Sequence, residues 1–445
     1  MDKDPRTYPK KKRRSLVLLG LIFLLSACAG KERTDTGVPS AAESLPQTSQ
    51  QIKMQNPDTS AGTAAEQETR EQTAEEQETD GQSEAEQETR EQTAAEQETD
   101  GQTAESTDAA SKVQSDAKPT PEPYDFTICF AGDINLHEGW CTALHMKRQE
   151  NGILDCISPE LVEAMKAADV MCLNNEFTYS LRGTPTEGKS FHFRANPERV
   201  EVLRQLGVDV VTLANNHVYD YGEDAILDTF ETLENAGISY FGAGRTLEEA
   251  MQPVYLTIQG KTIALVGASR AEKNKKTPQA TETSPGILRC YDPELFLQVI
   301  AEAKANADFC LAFVHWGTEN STKLEPVQIE TGRQYLDAGA DAVIGAHSHC
   351  LQGMEFYDGK PIVYSLGNYW FNEKTLDTML LELHFSDTDG EDKLEVRVIP
   401  ALQKGYTTTF LSEPEEQRRL FDGLENISVN CRIRDDGIVE EKDTD

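Results

Sequence analysis

Residues 208–236 read VDVVTLANNHVYDYGEDAILDTFETLENA, and three patterns succeed one another within them. Residues 208–213 form a strand-sized apolar run. Asn215, Asn216 and His217, with Asp220 and Gly222 just beyond, make a polar cluster. Residues 225–236 then space apolar side chains three and four apart, the period of an amphipathic helix. Similar units recur outward from this one. Apolar runs at 126–130, 170–173, 262–266, 309–314, 342–344 and 362–364 alternate with amphipathic stretches at 159–168, 197–206 and 327–338. Strand and helix in alternation predict a layered α/β domain, and about 280 residues suffice for one large core. Residues 378–385 and 394–399 add strands. After Glu413 the pattern weakens to one helix, a short strand and an acidic tail.

The ends of the apolar runs carry the chemistry, as expected where sites assemble at the carboxyl ends of strands. The first run ends in Ala131-Gly132-Asp133-Ile134-Asn135-Leu136-His137 and the second in Leu173-Asn174-Asn175-Glu176. Taken alone, a strand-end Gly-Asp is ordinary turn or helix-capping chemistry. The run quoted above ends in Asn215-Asn216-His217. There an amide oxygen can complete a metal shell while the neighbouring imidazole faces substrate as a general acid; an Asn-rich turn with a surface histidine is the plain alternative. Later runs end in Val314-His315-Trp316-Gly317 and Ile344-Gly345-Ala346-His347-Ser348-His349. Two imidazoles at i and i+2 past a strand converge if the chain turns there, and imidazole suits Zn, Mn and Fe. Four of the eight histidines fall at such ends beside carboxylates and asparagines, which packing alone does not explain.

The ordered series resembles the CapA-like poly-γ-glutamate (capsule) biosynthesis family, a relative of calcineurin-like metallophosphoesterases. It runs Gly132-Asp133, Asn174-x-Glu176, Asn215-Asn216-His217 with Asp220 and Gly222, His315-Trp316-Gly317, the His347-Ser348-His349 motif, and Ser365-Leu366-Gly367-Asn368-Tyr369. Phe191-His192-Phe193-Arg194-Ala195, Gly242-Ala243-Gly244-Arg245 and Ser284-Pro285-Gly286 extend the likeness, which covers residues 126–370. It implies a metallophosphoesterase-like β-sandwich flanked by helices. It also implies one or two divalent transition-metal ions (Mn, Zn or Fe). Asp133 and His349 would hold a first ion, Glu176 would bridge, and Asn216, His315 and His347 would hold a second. His217 would protonate the leaving group while metal-activated water attacks phosphorus in line. Asn135, Asp220 and Asn368 are further site candidates. Among Arg182, Arg194 and Arg270, Arg194 is the best substrate-anion candidate, because it sits in a family-like motif.

Two departures from the phosphoesterase pattern bear on activity. Asn135 stands where a first-motif histidine is usual, and Glu176 where an aspartate is usual. An amide in place of an imidazole predicts a weaker first metal position, or a shell that binds without hydrolysing. His137 is the residue available to compensate, although four positions beyond Asp133 a helix would turn it away. The resemblance therefore implies a capsule or poly-γ-glutamate protein with a metal-dependent, phosphoesterase-type hydrolase site. Two other readings stay open: a non-catalytic, polymer-binding partner of a membrane polymer synthase, and a secreted phosphodiesterase unconnected with capsule.

Lys10–Arg14 and the apolar run 16–25, ending at Leu25-Ser26-Ala27-Cys28, read as a lipoprotein signal peptide over residues 1–28. The apolar run is shorter than the ~20 residues a bilayer-spanning helix needs. Acylation of Cys28 would anchor the chain to the extracytoplasmic face of the cell membrane; an uncleaved anchor is the other possibility. Residues 29–123 are rich in Glu, Gln, Thr, Ala, Ser and Asp, too polar to bury a core. EQETREQTAEEQETDGQ at 66–82 returns at 86–102 with one change, Glu75 to Ala95. Neither copy has an apolar face to stack, so an acidic tether is expected rather than a solenoid, with an end-to-end distance of roughly 50–60 Å.

The formal net charge is −35. About −15 of it belongs to the tether and about −25 to the globular part, which argues against nucleic acid as a partner. An anionic extracellular polymer would approach only through cations. Nine cysteines leave eight beyond Cys28 with no CxxC pair. Cys129, Cys172 and Cys310 lie in apolar runs, as core residues do. The expected organisation is 1–28 signal peptide, 29–123 tether, 124–401 globular domain and 402–445 C-terminal extension.

Overall fold

In the computed structural model the described residues are 123–272, 276–388 and 390–442. Cys28 and the repeat tether lie outside them. In chain order the strands of the two large sheets are β1 (Asp125–Ile134), β2 (Val170–Asn175), β3 (Val210–Thr212), β4 (Ser239–Phe241), β5 (Val254–Ile258), β6 (Lys261–Ser269), β7 (Phe309–Trp316), β8 (Ala342–His347), β9 (Met354–Tyr357), β10 (Lys360–Val363), β11 (Asn368–Trp370), β12 (Leu376–Thr388), β13 (Glu391–Lys404), β14 (Thr407–Phe410), β15 (Cys431–Ile433) and β16 (Ile438–Glu441). The larger sheet runs β15-β16-β13-β12-β1-β2-β3-β4, with β11 also paired to β1 and β14 to β13. The smaller runs β9-β10-β8-β7-β6-β5.

Period-two alternation assigns each strand face to a layer. Phe126, Ile128 and Phe130 of β1 join Ile263 and Leu265 of β6 and Leu311 and Phe313 of β7 in one core between the sheets. Phe126 stacks on Phe385 at 5.0 Å, and Phe309 of the opposite sheet meets Phe385 at 4.7 Å. The other face of the larger sheet, with Cys129, Ala131 and Met171, packs on helices through Leu161, Met165, Leu203, Leu206, Phe230 and Leu233. The outer face of the smaller sheet, with Ala264, Val266 and Ala268, packs on Phe296, Ile300, Tyr335 and Leu336. The chain is thus an α/β protein of the expected class, two sheets face to face with helices outside. Strands buried on both faces explain the unbroken apolar runs, and each buried Phe or Leu contributes ~1.5–3 kcal/mol.

The strands run past the apolar stretches that reveal them. β1 continues through Asp133, β2 through Asn175, β7 through His315 and β8 to His347, because parallel pairing carries on into the polar ends: Asp133 faces Asn174, and Trp316 faces His347. The helix expected at 197–206 begins as a 3-10 turn, Pro197–Arg199, before the α-helix Val200–Leu206. Helices Pro159–Ala167, Glu223–Ala236 and Pro326–Asp337 occupy the other expected stretches.

The boundary expected at residue 401 falls inside β13, which pairs with β12 from Glu391 to Gln403. Beyond it, β14 and β16 both pair with β13, and the helix Pro414–Ile427 buries Leu420, Phe421 and Leu424 in the inter-sheet core. Residues 402–442 are therefore an integral layer of the same fold. All eight described cysteines are free thiols, and Cys129, Cys172 and Cys310 are buried as expected. Among the described residues, no helix is long and apolar enough to cross a membrane.

Candidate metal centre

β1, β2 and β3 are parallel, as are β6, β7 and β8, so their carboxyl ends share one edge of the sandwich. At that edge Glu176, His315 and His347 bring ligand atoms within 4.8 Å of one another, and so do Asp133, Glu176 and His349. Glu176 belongs to both groups. Its Oε1 lies 3.7 Å from His315 Nε2, 3.9 Å from His349 Nε2 and 4.0 Å from His217 Nε2. This oxygen is wholly buried and has no hydrogen-bond partner among the described residues.

Buried polar atoms without partners are rare and costly, and a divalent cation is the group this donor set fits. Burial, and then the neighbouring charge of Asp133, push the Glu176 carboxyl far above the usual carboxylate range. Burial likewise depresses His315 and His347, keeping their rings in the neutral form a metal requires. His347 and His349 have φ of 98° and 55°. Left-handed backbone at non-glycine residues concentrates at functional sites, and here it is part of the turn that sends both rings to one edge.

Asn216 Oδ1 lies 2.8 Å from His315 Nε2, which is 3.1 Å from His347 Nδ1. His349 Nδ1 lies 3.0 Å from Asp133 Oδ2 and 2.9 Å from Asn368 Oδ1. His217 Nδ1 is 2.7 Å from Asp220 Oδ2, which leaves Nε2 facing Glu176. Burial alone would raise the Asp220 carboxyl, but the charges of His217 and Lys189 hold it below its ordinary value.

Three sequence candidates have side chains engaged with other partners. Asn135 Oδ1 accepts the backbone N–H of His137 at 2.8 Å, so its amide oxygen is already engaged locally. The His137 ring meets the backbone of Arg194 through Nδ1. The Arg194 guanidinium lies 4.0 Å over the Tyr221 ring and donates to the Arg182 carbonyl at 3.0 Å.

Sequence reading missed the supporting residues. Asn174 donates to Asp133 Oδ1 at 2.8 Å and Glu176 Oε2 at 3.2 Å, orienting both carboxylates. Lys189, almost fully buried, pairs with Asp220 at 2.7 Å and Glu272 at 2.8 Å and also donates to the Asn216 carbonyl. Nothing in the local pattern around Lys189 distinguishes it from a surface lysine, because both its anionic partners are remote in sequence.

A family model described as bacterial capsule synthesis protein PGA_cap matches residues 127–373. The chain is 31% identical over 296 residues to the PGA biosynthesis protein CapA of Bacillus subtilis (strain 168), covering 65% of this chain and 75% of that one. It is 34% identical over 206 residues to the capsule biosynthesis protein CapA of Bacillus anthracis, covering 45% and 49%. Against a probable polyglutamine synthesis accessory protein of Mycobacterium tuberculosis (strain CDC 1551 / Oshkosh) identity is 32% over 211 residues, 45% of this chain and 55% of that one. The matched span contains every strand end that contributes to the cluster, and on this footing the chain belongs to the PGA_cap family of bacterial capsule synthesis proteins.

Proposed function

We propose that the domain is a metal-dependent, phosphoesterase-type hydrolase serving synthesis, export or anchoring of an anionic extracellular polymer, poly-γ-glutamate, a reading supported by the PGA biosynthesis role named for the Bacillus subtilis relative. The observation that carries the reading is Glu176 Oε1, buried, without a hydrogen-bond partner and ringed by three imidazoles. Asp133, Glu176 and His349 would hold one ion, and Glu176, Asn216, His315 and His347 a second. Bound ions would supply Lewis acidity and lower the pKa of water.

The chain's own residues do the rest. Asp220 accepts from His217 Nδ1, which presents Nε2 toward the cluster as the proton donor to a leaving group. Asn174 keeps both carboxylates oriented. Lys189 neutralises Asp220 from behind. A second reading, a non-catalytic partner of a membrane polymer synthase, is favoured by Asn135, whose amide oxygen is tied to His137, and by the accessory role named for the mycobacterial relative.

Metal content and hydrolysis of a generic phosphodiester and phosphomonoester separate the two. With the chain from residue 29 onward, we expect turnover that needs added Mn²⁺ or Zn²⁺. His347→Ala should lose metal and turnover together; His217→Ala should keep its metal and lose at least ~100-fold in rate. A folded protein that binds transition metal yet hydrolyses nothing above background would leave the binding reading standing alone.

A further inference from the structure

We infer that the side-chain oxygen of Asn368, not that of Asn135, is the amide ligand of the metal position formed by Asp133, Glu176 and His349. This rests on the metal-centre reading above and supplies the donor that the first motif lacks. Asn135 sits two residues after Asp133, where a metal-facing side chain is expected, but its Oδ1 takes the N–H of His137 at 2.8 Å. A flipped Asn135 amide would set its NH₂ against that N–H, so the oxygen stays turned inward to the loop.

Asn368 comes from the neighbouring strand β11. Parallel pairing of β1 with β11 puts it directly across from Asp133. The Asp133 N–H donates to the Gly367 carbonyl at 2.9 Å and locks the two strands in that register. Asn368 is 1% exposed, and its Nδ2 has no hydrogen-bond partner among the described residues. Asn135 Nδ2 is likewise without a partner among the described residues, so what separates the two amides is where each oxygen lies, and that of Asn368 is on the cluster side, 2.9 Å from His349 Nδ1.

The spacing fits a coordination shell. Ligand atoms about 2.1 Å from one ion and at right angles stand ~3.0 Å apart. Asn368 Oδ1 and Asp133 Oδ2 lie 2.9 and 3.0 Å from His349 Nδ1. The second position repeats this, with Asn216 Oδ1 and His347 Nδ1 at 2.8 and 3.1 Å from His315 Nε2. Each position then has the shared Glu176, imidazole and one asparagine oxygen. The Asp133 position carries three oxygens and a single nitrogen, a set suited to Mn²⁺ or Fe²⁺ more than to Zn²⁺.

Metal-stripped wild type, Asn368→Ala, Asn368→Asp and Asn135→Ala, titrated with Mn²⁺ and read by EPR of the free ion, test this without any substrate. Wild type and Asn135→Ala should bind two ions alike. Asn368→Ala should lose 10- to 100-fold in affinity at one of them, with an unchanged melting temperature before metal is added. Should the alanine variant fail to fold, Asn368→Asp carries the test, and its carboxylate should tighten one class of site. Wild-type affinity in Asn368→Ala, matching losses in Asn135→Ala, or no tightening in Asn368→Asp would each overturn the assignment. Substituting Co²⁺ separates a ligand from an outer partner of His349: a visible spectrum unaltered in Asn368→Ala also overturns it. A wild type that binds no Mn²⁺, Zn²⁺ or Co²⁺ would instead sink the metal-centre reading itself.

Discussion

Two glutamates of this protein contrast in what they face: one meets cations on the chain and the other meets none. Glu138 is the first. Its Oε1 takes Arg199 Nε at 2.9 Å, and Lys147 pairs with its other oxygen. Partial burial alone would raise the carboxyl, but the hydrogen bonds from Arg199 and Lys147 bring it down to about 2. Because the folded-state pKa is depressed, the pairing should stabilise fully above the ordinary glutamate range. That contribution should fade as the pH falls toward about 2. Glu138 is about a third exposed, so solvent screening limits the contribution to ~1 kcal/mol. Urea midpoints of wild type and Glu138→Gln should therefore differ at pH 6 and converge near pH 2; a constant difference would contradict the pairing. Glu176 is the second, raised far above the usual carboxylate range by burial and then by the charge of Asp133, with no lysine or arginine among the causes that offset it. Periodicity could not separate the two, since a strand-end Glu and a loop Glu look alike until their remote partners are known.

At the scale of elements, the contact of β1 with the loop before β11 decides whether the site forms. Gly132 lies so close to that loop that a Cβ would stand 1.9 Å from the Gly367 carbonyl oxygen, backbone that cannot swing aside. Gly367 itself has φ of 62°. Gly132→Ala should therefore cost ~1–3 kcal/mol and pull Asp133 away from Asn368. Urea unfolding together with Mn²⁺ affinity would show both losses, and wild-type values in both would refute the close approach. The strand-end motifs on either side were legible as Gly-Asp and Ser-Leu-Gly-Asn. Their adjacency was not, because more than 230 residues separate them and one edge of β1 has to take β12 along residues 125–131 and then β11 at Asp133 and Ile134, while β2 takes the other edge.

Taken whole, the molecule places a strongly acidic domain after an acidic, low-complexity segment and a basic, apolar leader. Our reading of these as tether and lipoprotein signal makes one clear demand. Cys28→Ser should abolish lipid attachment and shift the protein from the membrane to the soluble fraction, detected by fractionation and by the mass of the N-terminal peptide. An unchanged membrane fraction in Cys28→Ser would favour an uncleaved anchor. The sequence alone determined the alternation of strand and helix, the polar strand ends and the family, since each is written in local periodicity and short ordered motifs. Only the tertiary structure decided that residues 402–442 complete the larger sheet, that Lys189 stands behind His217, and which asparagine oxygen meets His349. Those outcomes depend on non-local strand pairing and on competition for individual hydrogen bonds. Asn135 loses its oxygen to a neighbour two residues away while Asn368 keeps its own for His349.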